Sequence, residues 1–435
     1  MITIGLVGMW HLGEIYSACL AELGHQVIGI DENAEVVDKL NNGTPPLTEP
    51  LLSNIICKNI KKGRLRYSSS FNDLKKCSVV WLTIDTPIDK SDAANTQIIF
   101  STLKKMAPFL VKKVTLVISS QLPVGSSSKI VKFLKQNGKK INFEYAYVPE
   151  NLRLGEGVNS FLNAGRIVIG TYNSETYHLV RSILSKIKSQ FLKMSVVSAE
   201  MVKHATNAFL ATSLSFIYDI ADVCEKSGAD VIDVSRALKA DSRIGSKAYL
   251  DASVGFSGGT LGRDLQYLLK IAKENHAKLP VINSVFRKNI SRKTLVYERI
   301  LKRLKIFKGK SICFWGITYK SGTSTLRRSL AVEIIKEISK KGAQIIIYDP
   351  MALEGEIKKT MGSAKLSIAK NIYDSSLGCH VIVIITPWED LKNIDFSKLS
   401  SRMKSPKIIF DARNFLYTQE NEIKKNNIYY MGIGR

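Results

Sequence analysis

The spacing of apolar residues divides the chain into three stretches. In the first, ending near residue 190, short apolar runs alternate with segments whose apolar positions recur at helical intervals, the mark of a sheet crossed by helices. The runs predict strands over 2–7, 26–30, 78–84, 114–119, 145–148 and 166–170. From 198 to 305 the strand signal disappears. Residues 199–226 carry apolar side chains at helical spacing and end before Gly228, a residue suited to closing a helix. A further long helical stretch is expected over 280–304, basic on its outer face. Beyond it the alternation resumes, with strands expected over 311–315, 343–348, 381–385 and 407–410. The pattern predicts the α/β class: two doubly wound parallel sheets joined by a helical region. Open sheets of this kind offer a ligand crevice at their carboxyl ends, so two nucleotide-like ligands are expected.

The first 31 residues sharpen this expectation. After the strand over 2–7 come a turn over 8–13, a helix over 15–23 and a second strand closed by Asp31. This is the layout of the dinucleotide-binding G-x-G-x-x-G unit, in which an acid about 20 residues on holds a ribose hydroxyl. Gly8 and Gly13 fill the first and third glycine places. Trp10 fills the second, where the backbone must approach a pyrophosphate, so its indole has to swing outward. Both α/β domains are therefore read as Rossmann-like, the first carrying the dinucleotide.

Composition narrows the class. A chain of 435 residues is too long for one ordinary core, and a 45% hydrophobic, 23% charged balance is that of a globular protein. No apolar run reaches the ~18 residues that would cross a bilayer. The N-terminus reads as the first strand, without the basic start and cleavage site of a signal peptide. Cys19, Cys57, Cys77, Cys224, Cys313 and Cys379 show no C-x-x-C spacing, which suggests reduced thiols and not a disulfide frame or a metal site. A cytoplasmic protein with no membrane partner is expected. The net charge of +25 raises the question of nucleic acid. The lysines, however, are scattered in pairs such as Lys61-Lys62, Lys75-Lys76, Lys104-Lys105 and Lys139-Lys140, with no aromatic-interleaved basic motif. They read as a solvated surface that also attracts anionic ligands, with no nucleic-acid partner.

Candidate chemistry lies in the middle stretch. Lys203 and Asn207 stand at i and i+4 on one helix face, where a half-desolvated amine can serve as proton shuttle or oxyanion donor. On spacing alone, a snorkelling lysine at a domain edge is the simpler reading. A glycine-rich segment over 255–264 reads as a flexible loop able to fold over a ligand, with Asp264 at its end.

The order of segments resembles the UDP-glucose/GDP-mannose dehydrogenase family over essentially the whole chain. Thr86-Pro87 resembles the Thr-Pro turn beside the cofactor, and the segment from Ser120 to Ser126 resembles S-T-x-P-x-G-T. Pro149-Glu150-Asn151-Leu152-Arg153 resembles P-E-F-L-R, and the segment from Arg166 to Gly170 resembles R-I-V-I-G. Ala199-Glu200-Met201-Val202-Lys203 with Asn207 resembles A-E-x-x-K…N. Tyr319-Lys320, through Thr323 to Arg327 and Ser329, resembles F-K-x-x-T-x-D-x-R-x-S, and Asp411-Ala412-Arg413-Asn414 resembles D-x-R-N. The resemblance implies an enzyme that oxidises a nucleotide sugar at its C6 alcohol, passing hydride to NAD. It implies Lys203, Asn207 and Asp264 as catalytic residues, and Gly8, Gly13, Asp31, Thr86, Ser120 and Arg327 as cofactor-binding ones. Glu150, Leu152, Arg153, Gly258, Lys320 and Arg413 are implied on the substrate, with Arg243 in a loop that dimers of the family share. The implied organisation is an NAD-binding domain over 1–197, a helical region over 198–305 that builds a homodimer, and a UDP-binding domain over 306–435.

The chain also departs from the family pattern. Where the family reads G-G-S-C-F-P-K-D, this sequence reads Gly258-Gly259-Thr260-Leu261-Gly262-Arg263-Asp264, one residue shorter, so the nucleophilic cysteine falls on Leu261 or Thr260. Gln121 replaces a threonine, Leu154 an acid, and Trp10 a glycine. Without a thiol, a second oxidation would pass through a hydrated aldehyde, or the reaction would stop after one hydride. The expected function is thus NAD-dependent oxidation toward the aldehyde or uronic acid without a cysteine thioester. The alternatives are a nucleotide-sugar-binding partner protein lacking turnover, and a related nicotinamide enzyme acting on another anionic alcohol.

Overall fold

The structure, a computed structural model, describes residues 2–86, 95–111, 113–137, 142–362 and 365–435. Pro87 and the Lys139-Lys140 pair lie outside the described residues. The chain forms two compact units, Met1–Thr206 and Asn207–Arg435.

The first unit is built on eight strands: β1 Thr3–Val7, β2 Gln26–Ile30, β3 Leu65–Ser68, β4 Val79–Leu82, β5 Lys113–Ile118, β6 Asn142–Tyr147, β7 Arg166–Thr171 and β8 Gln190–Met194. Their order is β3-β2-β1-β4-β5-β6-β7-β8. The order reverses between β1 and β4, which places a crevice at the carboxyl ends of those strands. The central strands are apolar throughout because both faces are covered. Helix His11–Glu22 belongs to one apolar cluster with Leu6 and Trp81, and Leu82 and Ile118 to another. One expectation is corrected. The sheet is not wholly parallel, because β7 runs antiparallel to β6, pairing Tyr147 with Gly170. The connection between them holds only the six-residue helix Gly157–Leu162, and the chain re-enters the sheet from the carboxyl end.

The second unit carries six parallel strands: β9 Ser311–Trp315, β10 Gln344–Tyr348, β11 Leu366–Ile368, β12 Val381–Ile384, β13 Ile408–Asp411 and β14 Tyr429–Met431. Their order is β11-β10-β9-β12-β13-β14, the doubly wound arrangement expected from the sequence. Helix Val196–Ser227 continues from the first unit into the second, and Gly228, at φ +81°, closes it by donating to the Cys224 carbonyl. The helical stretch expected over 280–304 is two helices, Pro280–Arg292 and Leu295–Leu304. The segment over 255–264 is not the loop expected. Gly258–Gly262 form a π-helical turn that runs directly into helix Arg263–Glu274, so Asp264 is fixed in a helical first turn.

Candidate active site

Only glycine permits the turn after β1. Gly8 sits at φ +96°, and a Cβ on it would lie 2.8 Å from the Ile84 side chain. A Cβ on Gly13 would lie 1.8 Å from the Gly8 carbonyl oxygen, so the helix can start against the turn only without a side chain there. Asp31 closes the arrangement, accepting from the Met9 N–H at 2.8 Å and the Asn33 N–H at 3.0 Å. Trp10 is 44% exposed, so its indole does swing outward, and no side chain caps the helix it precedes. Uncapped N–H groups at a helix start suit a pyrophosphate. The Ser120 hydroxyl, beyond β5, is fully buried with no hydrogen-bond partner. Thr86 donates to the Gln121 carbonyl at 2.9 Å. A dinucleotide fits this set: a glycine cradle, an uncapped helix start, an acid at a strand end and an orphaned hydroxyl.

Lys203 is 7% exposed and doubly held. Its Nζ lies 2.7 Å from the Glu150 carboxylate and donates to the Glu150 carbonyl at 3.0 Å. Glu150 also accepts from the Leu152 N–H at 2.9 Å, which fixes the loop after β6. The surface-snorkel reading of Lys203 therefore fails: the ammonium is turned inward onto a carboxylate. On the same helical turn the buried His204 ring donates to the Leu122 carbonyl at 2.9 Å. The fully buried Glu200 carboxylate accepts from the N–H groups of Gly125 and Ser127 at 2.6 and 2.8 Å, and from the Ser127 hydroxyl at 2.6 Å.

A second acidic cluster underlies the dinucleotide turn. Glu49 accepts from His11 at 2.8 Å and from the N–H groups of Gly155 and Gly157 at 2.7 and 3.0 Å. Burial would raise this carboxyl, but those hydrogen bonds outweigh it and hold Glu49 below the usual range. Glu14, also fully buried, has one oxygen without a partner and the other 3.5 Å from the Leu47 N–H. Burial, reinforced by the charge of Glu49, pushes its carboxyl up to about 8.

In the second unit, Asn207 donates to the fully buried Asp264 carboxylate. Thr260, in the π-helical turn that Gly258 opens, shares a side-chain hydrogen bond with Tyr319. Burial lifts the Tyr319 phenol above its usual range, partly offset by that bond and by the charges of Arg413 and Arg328. Arg413 is exposed beyond β13 and donates through Nε to the Ile385 carbonyl at 3.2 Å. Lys320 and Arg327 are exposed between β9 and helix Leu330–Lys340.

The sequence-derived residues thus gather unevenly. Gly8, Gly13 and Asp31 come together, Lys203 meets Glu150 and Leu152, and Asn207 meets Asp264. The Leu152 side chain packs against the core and lines a cavity of about 40 Å³. Arg153 is exposed, 3.8 Å from Glu156, and Arg243 is exposed and paired with Asp241 at 2.7 Å. Sequence reasoning missed the roles of Glu14, Glu49, Glu200, His204 and Tyr319. Glu14 was detectable as a lone acid inside an apolar helix, and Glu200 and His204 as polar residues flanking Lys203 at helical spacing. Glu49 and Tyr319 carry no local signal, because their partners are distant in sequence. Among the described residues no cluster could hold a metal ion, and no helix is long and apolar enough to cross a membrane.

Three models of the UDP-glucose/GDP-mannose dehydrogenase family match this chain: the NAD binding domain over residues 2–188, the central domain over 197–291 and the UDP binding domain over 313–418. The chain is 34% identical over 440 residues to a UDP-glucose 6-dehydrogenase of Rickettsia bellii, covering 100% of this chain and 99% of the relative. It is 30% identical over 438 residues to the UDP-glucose 6-dehydrogenase TuaD of Bacillus subtilis, covering 100% and 94%. In fold it is similar to a UDP-glucose dehydrogenase from the archaeon Pyrobaculum islandicum, with a TM-score of 0.90 at 23% identity, covering 100% of this chain and 98% of that one.

The Glu14 carboxyl yields a pH test. Folded, it keeps its proton up to about pH 8, whereas its ordinary value is 4.5. Between those values the folded chain holds a proton that the unfolded chain lacks, so stability falls as pH rises across that window. Glu14→Gln removes this titration. Thermal unfolding should therefore show the variant gaining on the parent between about pH 5 and about pH 8.5, by several degrees in Tm. A Tm difference unchanged with pH would mean that Glu14 is already ionised in the folded chain.

Proposed function

The chain belongs to the UDP-glucose/GDP-mannose dehydrogenase family, and from that premise we propose how it works as an NAD-dependent nucleotide-sugar dehydrogenase. One observation carries the reading: the NAD-domain match falls on the turn where Gly8, Gly13 and Asp31 form a cradle that admits a dinucleotide. Segment 1–197 holds NAD through Gly8, Gly13, Asp31, Thr86 and Ser120, with Arg327 as a further contact. Segment 306–435 holds the nucleotide, with Lys320 and Arg413 facing its anionic oxygens. The substrate is UDP-glucose, as in the names of the relatives, and Glu150, Leu152, Arg153, Arg243 and Gly258 complete its site. A binding protein without turnover is not favoured, because Lys203 and Asp264 are both retained, buried and partnered.

When bound, NAD would supply the hydride acceptor for the carbon being oxidised. The chain's own residues manage charge and protons. Lys203, oriented by Glu150, steadies the oxyanion that forms on the sugar oxygen. Asp264, oriented by Asn207, takes up the proton. No cysteine lies between Cys224 and Cys313, so the π-helical turn offers the hydroxyl of Thr260 instead of a thiol. Asp264 first releases its proton to solvent; the second oxidation then starts with water adding across the aldehyde, Asp264 accepting a proton from that water while the former aldehyde oxygen takes one up. The resulting diol, and not a thioester, is the species oxidised to the acid, a step that requires a second NAD as hydride acceptor in place of the one already reduced.

The central segment 198–305 pairs two copies. Phe209, Phe216 and Val223 stand at i, i+7 and i+14 on helix Val196–Ser227 and are 70%, 48% and 62% exposed. A stripe of this kind needs cover, and a second copy of the same helix supplies it. The protein works in the cytoplasm, a placement supported by its six free cysteines, five of them buried.

With UDP-glucose and NAD, Lys203→Ala should lower the rate of NADH formation by at least about a hundredfold, while calorimetry still detects UDP-glucose binding. Unchanged turnover would remove Lys203 from the chemistry. Replacing Phe209 and Phe216 together by Asp should convert a dimer to a folded monomer in analytical ultracentrifugation, and an unaltered sedimentation coefficient would assign the stripe another role.

A further inference from the structure

Three side chains on one turn of helix Val196–Ser227 each grip a loop at the carboxyl end of the first sheet. Glu200, Lys203 and His204 stand at i, i+3 and i+4, the spacing that brings side chains to one helix face. Lys203 holds the loop after β6 through Glu150. Glu200 and His204 hold the loop after β5: His204 takes the Leu122 carbonyl, and Glu200 takes the N–H groups of Gly125 and Ser127. That loop begins with Ser119 and Ser120 and carries Gln121, whose carbonyl receives the Thr86 hydroxyl. It is therefore the wall that carries one cofactor residue, Ser120, and receives the hydrogen bond of another, Thr86. Glu200 is fully buried, and its bonds are short and charge-assisted. A second layer supports it, since the Tyr145 hydroxyl donates to the Ser127 hydroxyl at 2.7 Å.

We propose that Glu200 is a positioning residue: its carboxylate locks the Ser120–Gly125 segment to the helical turn bearing Lys203, setting the cofactor wall in register with the catalytic ammonium. Glu200 also sits at the start of helix Ser126–Asn137, where a carboxylate stabilises the first turn. That role alone would affect folding and nothing else. The positional role differs because the anchor comes from the helix that carries Lys203. On the same turn, His204 holds the loop through the Leu122 carbonyl, whereas Glu200 engages two of its N–H groups at once. The inference rests on the dehydrogenase reading for its kinetic arm and not for its binding arm.

Glu200→Gln keeps the side chain's shape but turns an amide N–H₂ toward one of the N–H donors. Two quantities separate positioning from simple capping: the dissociation constant of NAD by calorimetry, and the division of the kinetic loss between kcat and the two KM values. The expected result is a folded variant with NAD bound about tenfold more weakly, kcat reduced about tenfold, and KM for UDP-glucose within about twofold of the parent. Glu200→Asp, which keeps the charge but falls short of its donors, should recover part of the loss at most. A folded Glu200→Gln variant with parental NAD affinity and kcat would overturn the proposal. Should that variant fail to fold, Ser127→Ala decides, because it removes one bond to Glu200 and its Tyr145 support. Weakened NAD binding with unchanged UDP-glucose binding then sustains the proposal, and parental NAD binding overturns it. Absence of turnover in the parent would count against the dehydrogenase reading while leaving the NAD binding comparison intact.

Discussion

The buried pairing of Lys203 with Glu150 is the constraint around which the first unit is arranged. A desolvated ammonium is tolerated only beside a carboxylate with further hydrogen bonds, and breaking a fully buried pair costs about 3–5 kcal/mol. Glu150 retains 19% exposure of its side chain, so this pair lies below that limit. The pairing still dictates geometry. It holds the loop after β6 against the helix, while Glu200 and His204 hold the loop after β5 against the same turn. Two loops at strand ends, where ligands of open α/β sheets sit, are thus referred to one rigid element.

The dinucleotide turn obeys a different physics. Its residues are chosen by exclusion: no Cβ fits at Gly8 or Gly13, while Trp10 is admitted because its indole leaves the turn. Beneath it, burial pushes both Glu49 and Glu14 upward, yet the two carboxyls end on opposite sides of the usual range. Glu49 has three donors and stays below the usual carboxylate range, whereas Glu14 has a single long contact and is driven up to about 8. The number of donors that reach each buried oxygen decides the difference.

Much of the architecture was legible in the sequence, and its failures share a cause. The strands that the hydrophobic pattern missed are β3, β8, β11 and β14, the four edges of the two sheets. An edge strand has one neighbour and a partly wet face, so its apolar run is short and broken by residues such as Arg66 and Lys193. The glycines over 255–262 were read as a loop, but three of them lie in a π-helical turn stabilised by the helix that follows it. In the candidate site, local motifs singled out Gly8, Gly13, Asp31, Lys203 and Asn207, and the structure shows the contacts each of them makes. Periodicity alone left Lys203 at the surface, because its partner Glu150 lies 53 residues away. Glu49 and Tyr319 escaped for the same reason: their contacts are made only on folding.

On the proposed reading, the turn holding Thr260 and Leu261 stands where a covalent route would need sulfur, and Asp264, hydrogen-bonded by Asn207, follows one helical turn on. The account therefore requires catalysis with no sugar bound to the polypeptide. Intact-mass spectrometry of protein quenched in acid during steady turnover with UDP-glucose and NAD tests this most directly. The unmodified mass at every time point is the predicted result; a population heavier by one nucleotide-sugar acyl group, attached to any cysteine, would contradict it.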